Sequence, residues 1–336
     1  MKTVSQYVAV ITVKKYLRMH SFLLLVVSSL LIRSSFAVVQ DGQQVNEIGS
    51  GVIEATTEIP FLTGVYKSQA DEAWRNYQQT TGLSAAKWAK GQIRVPEDKT
   101  VFYPFSGPDF VTVAALFPEA SHFVMVAMQA AGQPAQLSAM SPLRQENFQA
   151  KFLREWKKFA RLGFFRTDDL NQDQGDRQAQ IGVTTTLTSF AVYSGYKVTD
   201  IYPIELDPAI EQFAQSAGPW KSVRLRLTKD GRDITLDYIS TDLSNKNLSE
   251  NEPIRKWLEK ASTHPTLLKA ASHLMQMPNF SILRDMVIAN APMVVQDETG
   301  LDYLDLSKIG KVDLYGGFLY PHELFNRNRQ ASLALA

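Results

Sequence analysis

Four consecutive residues, Ser106-Gly107-Pro108-Asp109, place a hydroxyl, a glycine and a carboxylate where an apolar run gives way to a helical pattern. A serine in a sharp strand-to-helix turn has the setting of a nucleophile elbow, and a glycine ahead of a helix can bring backbone N–H groups to a phosphate. Neither chemistry is complete here. There is no G-x-S-x-G elbow, and no histidine is spaced to serve Ser106 as a base. A dinucleotide loop requires G-x-G-x-x-G, so that the backbone can pass close to the pyrophosphate. Only Gly107 is present, Pro108 has no N–H to offer, and Asp109 would repel a phosphate. Gln129 stands at the end of the next apolar run, where an acidic residue would hold a ribose hydroxyl. The simpler role for Asp109 is to cap the helix that follows.

A second group of carboxylates, Asp297, Glu298 and Asp302, surrounds a turn near the end of the chain. Brought beside Asp109, they could act as the paired carboxylates of a glycosidase do, although acids at such positions more often only shape turns. Tyr103 and Tyr315 lie close in sequence to these two loops. The candidate ligand-binding residues are therefore Tyr103, Ser106, Gly107, Asp109, Gln129, Asp297 and Tyr315, with no catalytic assignment. No metal site is expected. His122, His264, His273 and His322 lack zinc-binding spacing. Asp169, Asn171 and Asp173 match positions 1, 3 and 5 of a calcium loop, but Gln174, a late Gly175 and Gln180 break the pattern, and a solvated loop is the better reading of 167–180.

These loops need a scaffold. Residues 100–103 are β-branched and aromatic, which predicts a buried strand. Phe110, Val113, Ala114 and Phe117 form one helical face, Pro118 ends it, and 122–128 predicts a second apolar strand. Strand, loop, helix and strand in this order make the nucleus of a Rossmann-like sheet. Ser141 and Pro142 predict a helix start, and Phe148, Phe152, Trp156 and Phe159 its core face, with Gly163 as its stop. Trp74 and Tyr77, in the helical-looking stretch 68–89, are expected in the core. Residues 182–193 are apolar and fit a buried helix or a strand by periodicity alone, with Ser194-Gly195 as a stop that favours the helix, followed by a strand over 197–205. Alternation over 222–228 and 233–239, joined by Asp230-Gly231, predicts a hairpin. Helical stretches are expected over 252–260, 265–277 and 280–289, and short strands over 293–296 and 311–315. The fold class is α/β: a three-layer Rossmann-like mixed sheet with an antiparallel hairpin addition.

Composition bounds the function. The 336-residue chain has no cysteine, and hence no disulfide and no thiolate chemistry. Lys2, Lys14, Lys15 and Arg18 precede an apolar run over 22–32, and Ser35-Phe36-Ala37 supplies small residues for cleavage before Val38. This predicts a signal peptide over 1–37 rather than a membrane anchor, and an exported, periplasmic or secreted protein. Removing that piece takes away five Lys/Arg and no Asp/Glu, so a formal charge of +1 becomes −4. A mildly acidic chain without a basic cluster is not a nucleic-acid binder. Residues 38–60 read as a flexible arm, 61–325 as a single α/β domain and 326–336 as a frayed tail.

Four separated segments carry a family resemblance: YPFSGPDF at 103–110, LLKAASHLM at 267–275, VVQDETGLDY at 294–303 and VDLYGGFLYPHELF at 312–325. They resemble a family of uncharacterised exported bacterial proteins, over most of the chain after about residue 70. The resemblance implies export and no particular activity, and the family often has an acidic residue where Gln129 stands. The 103–110 loop also looks like a degenerate first motif of S-adenosylmethionine-dependent methyltransferases, without its second glycine. Together these readings lead to an exported binding or accessory protein for a small molecule or cell-envelope component, with no nucleotide cofactor and no membrane span after cleavage. The alternative is a hydrolase-type enzyme that uses the carboxylates of the 106–109 loop and the 297–302 turn.

Overall fold

A computed structural model describes residues 59, 61–93, 99–163, 182–297, 299–301 and 303–315, all within one compact unit. The leader, most of the arm, the 167–180 loop, Glu298, Asp302 and the tail lie outside the described residues.

Strand β1 (Thr100–Pro104), helix α3 (Phe110–Leu116) and strand β2 (His122–Ala127) form the expected nucleus, with β1 and β2 parallel and Thr100 level with His122. The helices before it are α1 (Gly64–Tyr77) and α2 (Leu83–Gln92), joined without a break by a π-helical turn, Gln78–Gly82. After β2 come α4 (Pro142–Leu162), α5 (Val183–Tyr193), β3 (Lys197–Asp207), β4 (Gln212–Gln215), β5 (Ser222–Lys229) and β6 (Arg232–Ser240). The chain continues through α6 (Asn245–Glu250), α7 (Glu252–Ala261), β7 (Thr266–Leu268) and α8 (Ser281–Asn290). It closes with β8 (Val294–Gln296), α9 (Tyr303–Leu306) and β9 (Val312–Leu314).

The nine strands form one mixed sheet in the order β4-β3-β5-β6-β2-β1-β7-β8-β9. From β6 to β9 all neighbours are parallel, while β4, β3 and β5 add an antiparallel section joined to β6. The β5–β6 hairpin turns at Asp230 and Gly231, both at positive φ, as its two-residue connection requires.

Alternation along the central strands makes three layers. Val101 and Tyr103, Phe123 and Met125, and Leu236 and Tyr238 face a core shared with α1 to α5. Phe102, Val124, Val126 and Ile239 face the opposite core, against α6 to α8. Because both faces are covered, the parallel strands read as unbroken apolar runs rather than as alternating ones. Phe148, Phe152, Trp156 and Phe159 are all buried, and Gly163 at φ 75° ends α4 as expected. Tyr77 is buried and Trp74 stacks on it at 5.5 Å.

The sequence expectation fails over 265–277, where a helix was predicted. Thr266–Leu268 is a strand between β1 and β8, and Ala270–Gln276 is a 3₁₀ helix. Leu267 lies in one core and Leu268 in the other, a two-sided burial that an interior strand of a covered sheet supplies. Strand β4 and helix α6 were not anticipated, and Ile59, placed in the arm, is buried beside Phe61 and Leu62. Among the described residues no helix is long and apolar enough to cross a membrane.

Candidate functional site

From β1 the chain crosses to β2 on one side, whereas β7 enters on the other, so β1 and β7 flank the switch point of the sheet. The crevice outside the carboxyl ends of such strands is the usual ligand position in an open α/β sheet. Both ends carry unusual backbone here. Phe105 follows β1 at φ 56° and Ala270 follows β7 at φ 51°, a left-handed conformation that costs a residue with a side chain on the order of 1 kcal/mol. Phe105 is held there by burial and by an edge-on contact with Phe280 at 5.2 Å.

Asp109 sits between the two strand ends and is 3% exposed. Its Oδ1 accepts the Thr112 backbone N–H at 3.2 Å, the expected cap of α3. Its Oδ2 accepts the Tyr103 hydroxyl at 3.3 Å and the Lys269 ammonium at 2.5 Å. Lys269, 7% exposed, also donates to Thr112 Oγ1 at 3.0 Å and to the Gly163 carbonyl at the end of α4. An ammonium has three N–H donors, and all three of Lys269 are used. One lysine thus ties together the β1–α3 loop, the end of β7 and the end of α4. The neighbouring phenols are held protonated. Burial, then the Asp109 charge, pushes Tyr103 well above the ordinary phenol range. Tyr77 is raised by the same two causes in the same order, with a hydrogen bond from Thr112 working against them.

The turn after β8 closes the next side. Asp297 Oδ1 accepts the Thr299 backbone N–H at 2.9 Å and its hydroxyl at 2.5 Å, and Thr299 Oγ1 accepts the Ala270 N–H. The buried Gln296 amide is clamped to Leu301, donating to its carbonyl at 2.9 Å and accepting its N–H at 2.8 Å. A Cβ at Gly300 would lie 2.0 Å from Gln296 Oε1, so glycine is required for that clamp to form. Tyr315 packs against Trp88 at 5.7 Å, and its buried hydroxyl has no hydrogen-bond partner among the described residues. Burial pushes it well above its ordinary value, followed by the charge of Asp297 and then by Tyr103 and Asp109.

Asp109, Asp297, Tyr103 and Tyr315 are therefore one electrostatic cluster, assembled from loops nearly 200 residues apart in sequence. Tyr103, Asp109 and Asp297 are all buried within it. Ser106 belongs to the turn itself, its hydroxyl donating to the Gly107 carbonyl at 2.9 Å and lying 3.4 Å from that of Val126. Gly107 supplies the turn at φ 52°. Gln129, half-buried just beyond the end of β2, accepts the Tyr238 hydroxyl at its carbonyl at 2.8 Å. Among the described residues no group of three or more histidine or carboxylate side chains could hold a metal ion.

Sequence reading missed Lys269, Thr112 and the polar role of Tyr77. A signal for Lys269 existed, since it is the one charged residue in the stretch Leu267–Leu268–Lys269–Ala270–Ala271, and a lysine in such surroundings is buried only when paired. Its partner could not be read from the chain. No protein-family model, curated protein or solved structure matches the chain.

Proposed function

We propose that this chain is an exported binding or accessory protein that works without a nucleotide cofactor. One observation carries the reading: the place at the start of α3 where a phosphate would be held is filled by the protein's own Asp109 carboxylate, neutralised by Lys269. Asp109 takes the Thr112 N–H, and Pro108 contributes none. A phosphate entering there would have to expel Asp109 from a buried ion pair, and breaking such a pair costs about 3–5 kcal/mol. The hydrolase alternative meets the same obstacle. Asp109 is 3% exposed and accepts three hydrogen bonds from within the protein, so it would have to leave these partners to meet a substrate. Export is proposed from the charged, apolar and small-residue segments of the leader over 1–37.

The test is a thermal-shift series with adenosylmethionine and nicotinamide dinucleotides. No shift is expected with either. A shift that disappears in Gly107→Val would assign the loop to a cofactor and overturn the proposal.

A further inference from the structure

At the opposite, amino-terminal end of the parallel strands a cavity of about 320 Å³ opens between the sheet and α7. Its floor is a polar network on the sheet. Arg224 faces Asp237 directly across the β5–β6 pair and grips it with two hydrogen bonds, Nε to Oδ1 at 2.5 Å and a terminal nitrogen to Oδ2 at 2.7 Å. The same terminal nitrogen reaches the Phe213 carbonyl at 3.3 Å. His122, the first residue of β2, places Nε2 3.0 Å from Asp237 Oδ2. Asp237 is 4% exposed, whereas the His122 side chain remains 35% exposed. One wall is aromatic: Trp257 of α7 meets Phe213 of β4 edge to face at 4.9 Å. Gln212, Glu211, Lys260, Thr100 and His264 also line it, with Val124 and Ala261.

The charge balance decides what such a cavity would take. The guanidinium on the floor is cancelled by the carboxylate it grips, and the lining holds one further lysine, Lys260, and one further carboxylate, Glu211. No fixed net charge is left to recruit an anion or a cation. What remains is the aromatic Trp257 beside the Gln212 amide, which both donates and accepts, and the second ring nitrogen of His122, whose Nε2 is on Asp237. A sugar ring has the complementary surface: C–H groups on one face that pack on an aromatic side chain, and hydroxyls around its edge that pair with planar polar groups. The volume lies at the lower end for ligand pockets, which suits one ring rather than a long chain.

We propose that this cavity binds a neutral saccharide unit, with Trp257 as the stacking platform and His122, held in orientation by Asp237, as a hydrogen-bonding group. The site is separate from the switch-point loop, so its failure and that of the cofactor-free reading are distinguishable.

The experiment is saturation-transfer NMR on the folded protein with glucose, galactose, mannose and N-acetylglucosamine, followed by titration of any sugar that responds. Inorganic phosphate and acetate are titrated in parallel by chemical-shift perturbation. The expected result is transfer to the ring protons of at least one sugar, with affinity reduced roughly tenfold or more in Trp257→Ala. His122→Ala, which leaves the Arg224–Asp237 pair intact, is expected to weaken the same sugar and serves as the second variant should Trp257→Ala not fold. No transfer to any sugar, or transfer unchanged in a folded variant, overturns the proposal. So does binding of phosphate or acetate without any sugar, which would make the cavity an anion site.

Discussion

The Lys269 ammonium lies 2.5 Å from Asp109 Oδ2, a contact made across 160 residues of sequence and buried from solvent. It changes the meaning of Asp109. As a helix cap alone, its loss would cost about 1 kcal/mol, and asparagine would replace it at little cost. As the counter-ion of a buried lysine, its loss leaves an ammonium without a charge partner in a desolvated place, a cost of about 3–5 kcal/mol.

Asp109→Ala is therefore expected to destabilise the fold by about 3–5 kcal/mol. Asp109→Asn should fall between this variant and the parent, because the amide oxygen keeps the cap while the charge is lost. Lys269→Met should also be costly alone, but adding it to Asp109→Asn should cost less than the sum of the two. Urea midpoints of the parent and the four variants check this. Strict additivity would mean that the pair contributes no coupling.

A second expectation concerns acid. Burial alone would raise the Asp237 carboxyl, but hydrogen bonds from Arg224 and His122, with their charges, outweigh it and hold the group below its ordinary value of 3.8. A carboxylate depressed in the folded state contributes stability that is fully present above the unfolded value and is lost as pH falls through the folded one. The parent should thus lose stability progressively below about pH 4. In Arg224→Met the main lowering partner is gone and burial is left to raise the carboxyl, so the variant, less stable at neutral pH, should lose less stability than the parent on acidification. Denaturation midpoints between neutral pH and acid measure this, and an unchanged acid limb would show that Arg224 does not set the Asp237 titration.

The third expectation follows from the leader. Protein recovered from the exported fraction should begin at Val38, after Ser35-Phe36-Ala37, by intact mass. A product that retains the apolar run over 22–32 would instead be membrane-anchored.

Local regularities already pointed to much of this protein. The β1–α3–β2 nucleus, the hairpin at Asp230-Gly231, the aromatic face of α4 and the cap at Asp109 each depend on neighbours a few residues away. Such signals survive without knowledge of the partner elements. The segment 265–277 misled because its leucines at helical spacing are also a two-sided apolar run. Only the gap between β1 and β8, which a strand could fill, decided between helix and strand. The same holds for the sites. Asp109, Asp297, Tyr103 and Tyr315 could be named from the chain, but whether Asp109 would face a ligand or be paired within the protein depended on Lys269 arriving from β7 with three donors. His122, Arg224 and Asp237 carried no recognisable spacing at all, because their contact is made by strand order and register. The sequence determines which groups are available. Sheet order, which brings together residues more than 100 positions apart, decides which charges are neutralised and which cavity is left open.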